Sequence, residues 1–287
     1  VSYVERAITL TIALGGGDFG DTGQNTITLS GLRVSAMIEK WGGPSFNVAQ
    51  VRVSGLSLSL MNQVSSLWTP LPEFRNNTIV IQAGDAKTGM NIVFRGGIFT
   101  AWANIQNQPE SSLEMICRAA LVSTMRPVPP SSYNGSVDAV MILSNLASQM
   151  GYGFENSGVP PTMLSNSYYP GTLAMQAIRC AQAANVDITF DDEVVMAIWP
   201  KGGSRQGEIP LVSAATGMHG YPAYNGNGIA LKTLYNPAIK FGAKIKVETE
   251  IKAAAGIWNI WKLTHNLQSL TPNGNWFTEI EGKTIAI

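Results

Sequence analysis

Charge is scarce in this 287-residue chain. Asp, Glu, Lys and Arg make up 13% of it, against about a quarter in an average globular protein. The 19 basic residues are balanced by 19 acidic ones, so no global electrostatic pull toward nucleic acid or an anionic membrane exists. Sequence-specific nucleic-acid binding and membrane association are therefore not expected. Cysteine is nearly absent, with only Cys117 and Cys180, which excludes a disulfide framework and a thiolate metal cluster. His219 and His265 are the only histidines, and neither sits in an HExxH or similar ligand pattern. No apolar run reaches the roughly 18 residues that would suggest a membrane span. The opening VSYVERAITL has charges and alternation but no apolar core of a signal peptide, so export is not expected either. A surface this poor in charge is expected to be covered by partners.

What remains is a chain with 45% apolar content, enough for ordinary cores and about two domains by length. Its first third alternates at β period. Ile8, Leu10, Ile12 and Leu14 predict a strand, and the GGGDFG stretch after it predicts a turn. Further strands are predicted through Ile27 and Leu29, Leu32 to Ile38 and Val48 to Val53, then a short amphipathic helix within Leu58 to Leu67. From 122 to 208 the pattern becomes mixed α/β. Ser136 is placed to cap a helix bearing Ala139, Leu143, Leu146 and Ala147, and Thr172 to cap a second one bearing Leu173, Ala177, Ile178 and Ala181. VDITFDDEVVMAIWP then predicts a hairpin turning at Asp191 and Asp192. The last eighty residues return to β, with Ile245, Val247, Thr249 and Ile251 opposing charged neighbours. The following strand, Ile257 to Leu267, carries large apolar groups on both faces and is expected to be central or between subunits.

The chain also repeats itself. SLWTPLPEF, beginning at Ser66, returns as TLYNPAIKF, beginning at Thr233, 167 residues later. After each copy comes a strand-like run from Ile79 or Ile245, then a second run around Phe94 or Trp258. Pro109 before Leu113 then matches Pro272 before Trp276. Two copies of one β unit predict a duplicated domain.

Little in the sequence supports catalysis. No GxSxG elbow or GxxxxGK[ST] loop occurs, and Gly202-Gly203-Ser204 lies in a linker. GGGDFG lacks the helix that phosphate cradling needs. Asp191, Asp192 and Glu193 lack the spacing of a calcium loop and are read as a charged hairpin tip. His265 is read as a packed core histidine and His219 as a loop residue. Glu110, Glu114, Glu155 and Glu279 have no distinguishing neighbourhood for glycoside hydrolysis. The aromatic residues Trp258, Trp261, Trp276, Trp68 and Tyr235 fall inside the repeats, which makes them candidates for interface or barrel packing rather than sugar stacking. No catalytic, cofactor or metal residues are assigned.

The stretch LYNPAIKFGAKIKVE followed by AGIWNIWKLTHNLQSLTPNGNWFTEIEG resembles the closing β-barrel of baseplate hub proteins from contractile-tailed bacteriophages. GLRVSAMIEKWGGPSFNVAQVRVSGLSLSLMNQVSSL and NTIVIQAGD are similar to the first barrel of such hubs. The resemblance implies a mainly β fold with an α/β insertion. Two related β-barrel domains, 1–121 and 209–287, would flank a small α/β domain, 122–208. It further implies a homotrimer in the virion tail, made in the host cytoplasm, whose duplicated barrels form a pseudo-six-fold ring. That ring would join a hexameric tail tube protein to a trimeric central spike protein, alongside other baseplate proteins, with no enzyme activity and no cofactor. The alternative is a tail-associated cell-wall-degrading, carbohydrate-active enzyme, and a third reading is a β-rich adhesin.

Overall fold

The structure, a computed structural model, describes residues 5–20, 23–66, 76–87, 89–106, 110–192 and 194–284. Strands form where apolar residues alternate, because each then buries one face and wets the other. In β1 (Arg6–Ala13), Ile8, Leu10 and Ile12 are buried while their neighbours are not. The GGGDFG stretch turns the chain into β2 (Thr26–Leu29), which pairs antiparallel with β1. β3 (Arg33–Lys40) and β4 (Val48–Ser54) form the next antiparallel pair, burying Val34, Ala36, Ile38, Ala49, Val51 and Val53. A short helix, α1 (Leu58–Val64), is capped by the Ser57 side chain and buries Met61 and Val64. β5 (Thr78–Asp85), β6 (Gly89–Asn104) and β7 (Ser112–Arg118) then run as an antiparallel meander. The first half of β6 pairs with β5 and its second half with β7. The changeover is at Gly96 and Gly97, where a Cβ on Gly96 would lie 2.4 Å from the Arg118 carbonyl oxygen. Only glycine lets the backbones approach that closely.

Next come α2 (Leu121–Met125), β8 (Pro127–Ser132), β9 (Ser136–Asp138) and α3 (Ala139–Gln149). Ser136 is a strand residue, and the cap of α3 is Asp138, whose carboxylate accepts from Val140 N. The prediction of a Ser136 cap is corrected by two residues, since β9 pairs with β11 (Met163–Ser165) before the helix starts. β10 (Gly153–Asn156) precedes β11. β12 (Tyr168–Thr172) pairs with β8, and its last residue caps α4 (Leu173–Ala183) as expected. β13 (Val186–Asp191) and β14 (Val195–Pro200) make the predicted hairpin, with β10 parallel to β14.

The remaining strands are β15 (Leu211–Val212), β16 (Ala223–Asn225), β17 (Gly228–Leu234), β18 (Lys244–Val247), β19 (Gly256–Ser269) and β20 (Trp276–Lys283). β18 ends at Val247, although alternation continues to Ile251. Glu248 N turns to Val212 O, and the chain then bends through Ala254 N to Ile251 O.

The chain divides into two compact units. One takes the described residues of Val1–Glu39, Val48–Leu121 and His265–Phe277, the other those of Lys40–Asn47, Val122–Thr264 and Thr278–Ile287. The strand order in the first is β3-β4-β7-β6-β5-β1-β2. In the second it is β16-β17-β20-β19-β18-β15, beside the smaller β10-β14-β13 sheet and helices α3 and α4. Written by position along the chain, both orders place the first two strands of five together, followed by the fifth, fourth and third. The mainly β character with few helices agrees with the expectation. One difference is that β1 is antiparallel to β5, whereas β15 is parallel to β18.

Candidate functional site

The duplication extends to single residues. Thr78 faces Gly97 across the first ladder, and Asn77 O accepts from Ile98 N at 2.8 Å. Lys244 faces Asn259, and Ala243 O accepts from Ile260 N at 2.9 Å. Ile98 and Ile260 are thus equivalent, and so are Phe99 and Trp261 after them. A cation lies over each of these two rings. The Arg118 guanidinium stands 4.3 Å from the Phe99 centroid, and Lys283 Nζ stands 5.1 Å from that of Trp261. Both cations come from the final residue of the fifth strand, β7 or β20. Each unit also ties its second strand to its fifth through a basic residue and a glutamate. These pairs are Arg52 to Glu114 at 3.0 Å and Lys232 to Glu279 at 3.9 Å.

The aromatic candidates occupy different settings. Trp258 is 6% exposed and donates its indole N–H to Ala254 O, within a core that includes Trp199, Ile229, Phe241, Ile260 and Ile280. Trp276 is buried beneath the Arg6 guanidinium. Trp261 is half-buried and its buried indole N–H meets no acceptor among the described residues. Burial pushes the Tyr235 phenol up, and the nearby Asp192 charge adds to this. Trp68 and the rest of the first repeat motif after Ser66 lie outside the described residues, as does Glu193. His265 is buried in β19, and His219 lines an open groove with Tyr221, Lys232, Lys262, Glu279 and Glu281.

One cluster carries chemistry that the sequence did not announce. The β13–β14 hairpin does turn at Asp191 and Asp192, but Asp192 is 2% exposed. Its carboxylate is 2.7 Å from Lys40 Nζ and accepts from Asn47 Nδ2. Asp191 pairs with Arg205 at 2.7 Å, and Arg205 also grips Glu155 through two bonds of 3.0 and 2.6 Å. Lys40 and Arg205 could not be read as partners of the hairpin, being distant from it or in a linker. The Arg205 bond holds Glu155 below the usual carboxylate range despite partial burial. Burial pushes Asp191 up, but Lys40 and Arg205 outweigh it and leave the carboxyl low. Asp192 is pushed up by burial and by Asp191, against the pull of Lys40.

Glu155 and Asp191 therefore contribute stability above their unfolded pKa of about 4 that is lost as pH falls through their lower folded values. Asp192 works the other way: its contribution is present below the unfolded value and is lost as pH rises through the folded one. The Glu155 and Asp191 pairs with Arg205 are expected to make thermal stability fall as pH drops below about 4–5. The slope should flatten in Arg205→Met, and an unchanged slope in that variant would show that the pairs are inert.

Both free thiols, Cys117 and Cys180, are buried and raised, Cys180 to about 11. No group of three or more His, Cys, Asp or Glu suited to a metal ion exists among the described residues. Among the described residues no helix is long and apolar enough to cross a membrane.

Solved structures of tail proteins share this fold. The tail protein from Neisseria meningitidis MC58 matches over 98% of this chain and 97% of its own, with a TM-score of 0.66 and 8% identity. The 43 kDa tail protein of prophage MuSo2 from Shewanella oneidensis matches over 95% of each chain, with a TM-score of 0.60 and 9% identity. The E. coli c3393 protein is a type VI secretion component described as similar to the T4 tail proteins gp27 and gp5. It matches over 99% of this chain and 74% of its own, with a TM-score of 0.54 and 11% identity. The family model described as baseplate hub gp41 matches residues 8–278, so the chain belongs to the baseplate hub gp41 family. It is a structural tail component of the baseplate. No curated protein sequence matches it.

Proposed function

We propose that three copies of this chain form a closed ring at the centre of a phage baseplate. The domains are the barrel-like segments 1–121 and 209–287 with the α/β insertion 122–208 between them. Each copy supplies two quasi-equivalent β units, so the ring presents six similar units to a hexameric tail tube while keeping three-fold symmetry for a central spike. The observation that carries this reading is the shared strand order, with equivalent cation–π pairs at Phe99 and Trp261. The function is one of shape and symmetry, without catalysis or cofactor. Its partners are itself, the tube protein, the spike protein and neighbouring baseplate proteins, and its place is the virion tail. Native mass spectrometry of the purified chain, alone and with tube and spike proteins, is expected to show a three-copy species. A chain that stays monomeric in every mixture would overturn the proposal.

A further inference from the structure

The internal repeat is incomplete in one respect, and the missing part names its own occupant. In the first unit, the outer edge of β3 is covered by the last residues of β19. Ser269 Oγ accepts from Val34 N at 3.3 Å and donates to Leu32 O at 3.0 Å, while Gln268 Nε2 donates to Ser35 Oγ at 3.3 Å. Leu267, two residues before Ser269 in the same segment, is 1% exposed. The strand equivalent to β3 in the second unit is β16, since each begins its five-strand order. All three β16 residues are exposed, with Tyr224 at 58%, and among the described residues no strand pairs with its outer edge.

The equivalence of Ile98 with Ile260 runs on along the fourth strand and sets Ile105 against Leu267. Ile105 is 48% exposed. An apolar side chain at the end of β6 is therefore bare where its counterpart at the end of β19 is sealed. The unfilled edge and the bare residue are the two halves of one joint, and within a single unit the same joint is already made between β3 and β19.

Resting on the three-copy reading above, we infer that residues 103–106 at the end of β6 pair with the outer edge of β16 in a second copy of this chain. The pairing covers Ile105, whose counterpart Leu267 is already buried beside the segment that pairs with β3. Strand addition at an edge supplies main-chain hydrogen bonds whatever the side chains are, and a seated apolar residue sets the register. The joint is head-to-tail, using two different surfaces, so it cannot make a two-fold pair and repeats into a ring when the rotation between copies closes, as the three-copy reading requires.

The test mixes two single-cysteine chains of different size, Gln106→Cys and Tyr224→Cys, and treats the assembled protein with a short bismaleimide. Buried Cys117 and Cys180 are not expected to react. A product joining the two different chains is expected, with none from either variant alone. A second variant, Ile105→Glu, is expected to raise the dissociation constant of the assembly by roughly tenfold or more, with the unfolding midpoint of the monomer unchanged because Ile105 is already wet. A three-copy assembly that yields no joined product and tolerates Ile105→Glu overturns the edge joint and leaves the three-copy reading standing. A chain that never assembles overturns both.

Discussion

Replacing Lys40 with methionine is expected to lower the unfolding free energy at neutral pH by about 3–5 kcal/mol, because it leaves the buried Asp192 carboxylate without its cation, to stay unpaired or take up a proton. The Asp192 side chain is 2% exposed and that of Lys40 10%. Water therefore cannot take over when the ammonium is removed, and Asp191 lies beside the orphaned carboxylate. Asn47 stabilises that group only weakly, since its amide is shared between Asp192 Oδ1 and Phe190 O at 3.3 Å each. Adding Asp192→Leu to Lys40→Met should recover more than half of the loss, because a buried ion pair exchanged for packed apolar groups is often close to neutral. Asn47 would keep Phe190 O as its acceptor. Urea unfolding with an unchanged m-value measures both steps. A Lys40→Met variant within about 0.5 kcal/mol of the parent, the range of ordinary surface changes, would show that the pair contributes nothing.

That network also marks the limit of what the sequence discloses. The hairpin at Asp191 and Asp192 was legible because two apolar runs flank a polar turn, and the Thr172 cap because a threonine opens an apolar helical stripe. These are local signals. The burial of Asp192 was not legible, since its partner Lys40 lies about 150 residues earlier at the end of a strand whose alternation looks ordinary. In the same way, alternation carried the expected strand past Val247, where the ladder with β19 ends at Gly256, the first residue of β19, and only the parallel contact with β15 continues through Glu248 N to Val212 O. The match of Ile79 with Ile245 after the two motif copies was legible, and the ladders place these two residues alike. The exact register beyond them was not, because inserted residues shift the offset between copies. The ladder sets Gly96 opposite Ile79 as Trp258 is opposite Ile245, so Gly96 rather than Phe94 is the counterpart of Trp258. The Ile105 edge was missed for a related reason: exposure of an apolar residue is a property of what lies beside it.

The exchange of Gly96 for Trp258 shows how two copies of one fold acquire separate cores, and it leads to the second large effect. In the first unit the Phe94 ring fills the space above Gly96, with its Cζ 2.9 Å from where a Cβ would be. In the second unit the bulk comes from Trp258, and the glycine has moved to the neighbouring strand as Gly282, where a Cβ would lie 3.0 Å from Trp258 Cβ. Trp258→Ala should cost about 3–5 kcal/mol, the usual range for removing a buried indole. Gly282→Val should cost about 1–3 kcal/mol by overpacking the same space. The two losses are not expected to add, since valine at 282 partly refills what the indole leaves. The coupling in a double-mutant cycle should therefore be favourable and at least about 0.5 kcal/mol. Strict additivity would mean that the two side chains do not share a cavity. In that case the space beside Gly282 would be set by Ile229, whose Cγ1 would lie 3.4 Å from the added Cβ.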